Sequence, residues 1–237
     1  MFTPFFDFTL LAIMIPCFLM AMGAQWLVKS AFTRMSKVRA SMSGFQAARK
    51  ILDHHGLYDV QIEPVQGKLS DHYDPTAKVV RLSPEVYQAN SMAAVGIAAH
   101  EVGHALQDAK RYAPLVIRNI AVPAANIGTG FGSMMMGIGL MLLFTGLAPL
   151  GKFVLLAGII CFAGMVFFQV INLPVEFDAS ARAKRELVDL GIVSNAEIHY
   201  VGKVLNAAAL TYVAATLQAV LTLAYYIFRY MQASQSR

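Results

Sequence analysis

Ser91-Met-Ala-Ala-Val-Gly-Ile-Ala-Ala-His100-Glu101-Val102-Gly103-His104-Ala-Leu-Gln107 is a sequence built to be a helix. It is rich in Ala, it holds no proline, and Ser91 or Asn90 offers an oxygen to cap its first turn. On such a helix, residues four apart stack on one face, so the imidazoles of His100 and His104 can reach the same ion while Glu101 projects beside them. The pattern His-Glu-x-x-His therefore points to a zinc hydrolase site, with two neutral His ligands and an adjacent carboxylate placed to take a proton from a metal-activated water.

Composition sets the surroundings of that helix. The chain has 237 residues, of which 57% are hydrophobic and 14% charged, too apolar a balance for an ordinary soluble domain. Four stretches are long enough to cross about 30 Å of hydrocarbon at 1.5 Å per residue: Phe5 to Val28, Ile120 to Phe144, Val154 to Leu173 and Ala207 to Tyr230. The second carries Pro123, Asn126 and a glycine series whose Gly128 to Gly132 spacing suits close packing against another helix. No Lys or Arg precedes the first stretch, and Gln25-Trp-Leu-Val-Lys29 reads as an interfacial anchor, so this stretch is expected to be a retained helix and not a signal peptide. Cys17 and Cys161 both lie in apolar stretches outside any paired-cysteine motif and are expected to be packing residues.

Charge gives an orientation. Twelve of the 19 Lys and Arg lie between Lys29 and Arg118 and four between Arg182 and Lys203. The positive-inside rule puts both segments in the cytoplasm. Orientation and anionic lipid explain the net charge of +5; the clustering of basic and aromatic residues that nucleic acid would need is missing.

A third ligand must then come from the same side as His100 and His104. The chain returns there after two crossings, and the first acids met are Glu176 and Asp178 in Asn172-Leu-Pro-Val-Glu176-Phe-Asp178-Ala-Ser180. Two residues along a helix turn through about 200°, so only one of the two can face the metal. Either completes a three-ligand site with a fourth position open.

The segment between the first two stretches reads as small and α/β. Ser43 and Gln46 form a capping box for a helix carrying Ala47, Ala48, Ile51 and Leu52 on one side and stopping at Gly56. Two strand-like runs follow, Val60 to Val65 and Lys78 to Leu82, the second entered through an Asp71-His72-Tyr73-Asp74-Pro75 turn. If Lys78 to Leu82 is an exposed edge, it can bind an extended peptide beside the metal. His54 and His55 are expected to be solvated cations at a helix C-terminus. His72 or Tyr73 could donate to a developing oxyanion, and Asp108, four residues past His104, could orient a ligand imidazole.

Four segments, Leu69 to Pro75, Ala99 to Gln107, Asn172 to Ser180 and Leu205-Asn-Ala-Ala-Ala-Leu-Thr-Tyr-Val-Ala-Ala215, carry a resemblance to the YugP-like membrane neutral zinc metallopeptidases of bacteria. The family is similar to the gluzincins, whose third ligand is a Glu on a later helix. The resemblance implies His100, His104 and Glu176 as the ligands of one Zn²⁺ and Glu101 as the catalytic base. Membrane proteases of the HtpX and CAAX-prenyl type carry an Asp four residues beyond the ligand Glu, where this chain has Ser180, leaving Asp178 or Asp108 to substitute.

The expectation is a mainly α integral membrane protein with about four transmembrane helices and a small α/β, zincin-like cytoplasmic region. Its segments are an anchor helix (1–29), a cytoplasmic region with the zinc helix (30–118), a transmembrane hairpin (119–173), a cytoplasmic helical segment with the third ligand (174–206), and a final membrane helix and tail (207–237). The expected activity is zinc-dependent endopeptidase cleavage of peptide or membrane-protein substrates at the cytoplasmic face of the bacterial inner membrane. The partners are substrate and lipid bilayer, with no nucleic acid. The alternative is a proteolytically inactive, zinc-stabilised membrane scaffold or chaperone. A metal transporter ranks below both, because the apolar stretches hold almost no ionisable residues beyond Asp7.

Overall fold

The computed structural model describes residues 8–235, so the start of the first apolar stretch, Phe5 to Asp7, lies outside the described residues. The chain is mostly helical: α1 (Phe8–Met35), α2 (Gly44–His54), α3 (Pro84–Gln88), α4 (Met92–Ala109), α5 (Ala113–Ile127), α6 (Ser133–Leu142), α7 (Ala148–Asp189) and α8 (Ile198–Gln235), with strands β1 (Gln61–Pro64), β2 (His72–Asp74) and β3 (Val79–Leu82). A π-helical turn, Gly128–Gly132, joins α5 to α6. Among the described residues, four helical segments are long and apolar enough to cross a membrane: Phe8–Met35, Ala113–Leu142, Ala148–Asp189 and Ile198–Gln235. The four expected stretches fall one in each. Pro174 withdraws an N–H from the ladder of α7 without ending the helix.

The chain divides into two compact units. The first comprises the described residues of Met1–Gly23, Ile117–Asn172 and Tyr212–Arg237. Its helices meet through small residues, as the glycine spacing suggested. A Cβ on Gly128 would lie 2.5 Å from the Cys161 carbonyl oxygen and one on Gly132 would lie 2.9 Å from the Phe162 nitrogen, so only glycine admits the neighbouring backbone. Met136, Leu155, Ile159, Phe162 and Val166 pack into the interior that this approach closes. The outer surface is apolar as well, with Ile120, Phe153 and Ile160 largely exposed.

The second unit comprises Ala24–Val116 and Leu173–Thr211. The capping box of α2 forms as read: the Ser43 hydroxyl accepts from the Gln46 N–H, the Gln46 side chain accepts from the Ser43 N–H, and Ala47, Ala48, Ile51 and Leu52 are fully buried. Gly56, at φ +71°, takes the left-handed conformation that stops the helix. The core joins these residues to Val80 and Leu82 of β3, Val95 and Val102 of α4, Leu187 of α7 and Val201 of α8. Each Val, Leu or Ile side chain among them contributes roughly 1.5–3 kcal/mol by leaving water.

Two expectations about the sheet are corrected. The strand order is β1-β3-β2, with β3 parallel to β1 and antiparallel to β2, so Val79–Leu82 is the central strand and not an edge. Its near-complete burial explains why: a strand covered on both sides finds partners for both rows of backbone groups. In addition, His72–Asp74, read as turn, is the edge strand β2. The turn begins one residue later, where the Asp74 carboxylate accepts from the N–H groups of Thr76 and Ala77.

Candidate metal centre

α4 begins as its sequence requires, with the Ser91 hydroxyl accepting from the Ala94 N–H, and runs eighteen residues, which places His100 and His104 one turn apart on one face. α7 crosses that face. The approach is very close at Gly103, where a Cβ would lie 2.6 Å from the carbonyl oxygen of Ala179. The glycine inside the motif thus sets the distance between the two helices, and the α7 residues on either side of Ala179 face the imidazoles.

Glu176 lies among them. Its Oε2 is 3.2 Å from His100 Nε2 and 3.7 Å from His104 Nε2, and one ligand atom from each of the three residues lies within 4.8 Å of the others. Glu176 is only 4% exposed, yet its Oε2 has no aligned hydrogen-bond donor despite the ring nitrogens beside it. Leaving a buried carboxylate oxygen unsatisfied is costly. Two imidazole lone pairs and a carboxylate pointed at one spot are the donor set of a divalent zinc site, and ligands at bond lengths of about 2.0–2.2 Å stand roughly 3 Å apart. The residues therefore fit the ion that the motif implies.

The outer nitrogens explain the orientation of the rings. Gln107, fully buried, donates through Nε2 to the Val175 carbonyl and to Asp178 Oδ2, both at 2.8 Å. Both partners are acceptors, so the amide nitrogen is on that side and Oε1 faces His104 Nδ1 at 3.0 Å. Nδ1 must then carry the proton and Nε2 the bare lone pair. Asp178 is itself held by Arg182 Nε at 2.5 Å. His100 Nδ1 meets Ser180 Oγ at 3.1 Å. Both imidazoles thus have an outer partner; the Gln107 acceptor fixes the metal-ligating tautomer of His104, and the Ser180 hydroxyl can accept from His100 Nδ1–H in the same tautomer.

Glu101, 8% exposed, follows His100 directly and stands three residues before His104, and it makes no hydrogen bond or ion pair among the described residues. Burial raises its carboxyl above the usual carboxylate range, against the pull of His100 and His104. A carboxylate that readily accepts a proton is what a general base needs. At His104, burial pulls the imidazole down, and the Glu176 and Glu101 carboxylates outweigh it and hold the ring above its ordinary value.

Of the sequence candidates, His100, Glu101, His104 and Glu176 are brought together. Asp178, the rival ligand, turns to Gln107 and Arg182. Asp108 does not touch an imidazole: it accepts from Tyr73 Oη at 2.9 Å, which also engages the hydroxyl proposed for an oxyanion. His72 Nδ1 pairs with the Ser70 carbonyl at 2.9 Å. Gln107 was the residue that sequence reasoning missed. Its signal was present, since it stands three residues after His104 on the same face.

Comparison with known proteins gives a family whose name implies zinc. Residues 10–231 match a family described as "Putative neutral zinc metallopeptidase". The chain is 52% identical over 197 residues to a protein of Bacillus subtilis (strain 168) named "Putative membrane protease YugP", covering 82% of this chain and 84% of that one. No solved structure matches the chain.

Proposed function

Because this chain belongs to the neutral zinc metallopeptidase family, we propose that it is a membrane-embedded endopeptidase of the gluzincin type, using one zinc ion held by His100, His104 and Glu176. The observation that carries this reading is the convergence of those three ligand atoms beside an uncommitted Glu101 carboxyl. Zn²⁺ in such a site would supply a Lewis acid that lowers the pKa of a bound water to roughly 7. Glu101 takes the proton from the water that attacks the peptide carbonyl and returns it to the leaving amine. Gln107 keeps the His104 imidazole in the ligating tautomer while this happens, and the Ser180 hydroxyl orients that of His100.

An extended or unfolded segment is the substrate that the surroundings favour. Among the described residues β2 pairs with β3 alone, and Tyr73 ties it to α4 through Asp108. Its outer backbone groups can therefore take a peptide as an added strand near the zinc helix. The apolar outer surface of the helical unit and the positive charge of Lys29 to Arg118 and Arg182 to Lys203 support placing the chain in the cytoplasmic membrane with its chemistry on the cytoplasmic side.

The test is Glu101→Gln in purified, zinc-loaded protein. The variant keeps its zinc and loses cleavage of an unfolded polypeptide by at least the 10²–10⁴-fold typical of a general base. Wild-type cleavage by this variant would overturn the proposal. Zinc binding without cleavage in the wild type would favour the scaffold.

A further inference from the structure

Among the described residues, two buried side-chain polar atoms lack a hydrogen-bond partner, Glu176 Oε2 and His55 Nε2. The first belongs to the zinc cluster. The second belongs to another cluster of the same chemistry, His54, His55 and Glu186, whose ligand atoms also lie within 4.8 Å of one another.

This second cluster is built where α2 ends against the last turns of α7. His54 closes α2 and His55 is its C-cap, so both imidazoles stand at the negative end of the helix dipole, where a cation is favoured. The two rings meet edge to face with centroids 5.2 Å apart. His55 Nε2 lies 2.9 Å from Glu186 Oε1, close enough for an ion pair, but the ring nitrogen and the carboxylate are not aligned as donor and acceptor. Such a side-by-side approach is poor for a shared proton and suits two ligands of one ion, which stand roughly 3 Å apart at zinc bond lengths. The approach resembles that of His100 and Glu176, at 2.9 Å against 3.2 Å, with the unpartnered atom here on the imidazole and there on the carboxylate.

The surrounding backbone is tied down from both sides. Lys50 Nζ donates to the Leu190 carbonyl at 2.8 Å and Ser41 Oγ to that of Ile192 at 3.1 Å, so α2 is already fastened to the chain that follows α7. His55 and Glu186 are half-buried, with 23% and 18% of their side chains exposed, and His54 is exposed, which leaves an entry path. The nearest acid on α2, Asp53, is bound to Arg49 at 2.8 Å and is not free to act as a base.

We propose that His54, His55 and Glu186 form a second, non-catalytic site for a divalent transition metal of the zinc class, which clamps the end of α2 to α7. Two imidazoles and a carboxylate select borderline metals over Mg²⁺ or Ca²⁺. The clamp holds α7 ten residues beyond Glu176, so it steadies the helix that supplies the third ligand of the first site.

Zinc per chain decides the matter, measured by elemental analysis of full-length protein in detergent after stripping with chelator and dialysis against buffered Zn²⁺. Wild type should hold two ions; His55→Ala and Glu186→Gln should each hold one, and both should keep Glu101-dependent cleavage if the first site is a peptidase. In the His100→Ala/His104→Ala background one ion should remain, raising the melting temperature, and adding Glu186→Gln should abolish both the ion and the shift. That background reads the second site whether or not the first one cleaves peptides. One ion per wild-type chain, two in Glu186→Gln, or no zinc-dependent shift in the double-His variant would overturn the assignment.

Discussion

Gly103→Ala separates the geometry of the zinc site from its ligand list. The new Cβ would lie 2.6 Å from the Ala179 oxygen and 3.1 Å from its carbonyl carbon and Cα, all of them backbone atoms that cannot rotate aside. Ordinary contact begins at 3.4 Å, so α4 and α7 must part by about 0.8 Å at this point. Ala179 lies between Glu176 and Ser180, and metal ligands tolerate only about ±0.2 Å. If overpacking costs about 1–3 kcal/mol in the zinc-bound form and is relieved when the metal leaves, zinc binding weakens roughly 5- to 150-fold. Gly96→Ala is the control. It makes the same substitution on the same helix, with the same gain of about 1 kcal/mol in helix propensity, but its Cβ meets a methyl of Val201, 2.9 Å away, on a side chain that can give. Both variants should be titrated with zinc against a chromophoric chelator, in the Glu186→Gln background so that only this site reports. A folded Gly103→Ala protein with wild-type zinc affinity would refute the reasoning.

Three further outcomes follow from the same contacts. Gln107→Leu removes the acceptor at His104 Nδ1 and takes one donor each from Asp178 and the Val175 carbonyl, and should weaken zinc binding by about 10- to 100-fold in the same titration. Tyr73→Phe should lower stability by about 0.5–1.5 kcal/mol in chemical unfolding through loss of the Asp108 bond, and a 10²–10³-fold fall in kcat would instead make the hydroxyl an oxyanion donor. The hydrogen bond from Arg81, helped by the Ala77 N–H, holds Asp74 below the usual carboxylate range, so its stabilising contribution is present above about pH 4 and is lost as pH falls through the depressed value. Asp74→Asn should therefore flatten the acid limb of a plot of unfolding midpoint against pH, and an unchanged limb would count against the pair.

What the sequence made legible was what local pattern controls. The Ala-rich run with Ser91 ahead of it specified α4, Ser43 and Gln46 specified the start of α2, and four apolar stretches located the long helices. Glu176 could be reached because topology narrowed the third ligand to two acids. The sheet order could not, since a central and an edge strand of four residues look alike until their partners are known, and the Asp74-Pro75 step at the end of β2 carries a turn signal that hides a three-residue strand. Spacing could place Gln107 beside His104 and Arg182 beside Asp178, but the Gln107–Asp178 contact that joins α4 to α7 spans 71 positions and no local pattern announces it. His55 looked like a solvated helix end because Glu186 is 131 positions away in sequence.

The central claim is that α4 and α7 together hold one catalytic zinc. Anomalous diffraction recorded at the zinc edge from crystals of the full-length protein tests it most directly. The account predicts a peak within about 2.0–2.2 Å of His100 Nε2, His104 Nε2 and a Glu176 carboxylate oxygen. A zinc-replete crystal with no peak between those three residues, or with Asp178 in place of Glu176, would contradict it.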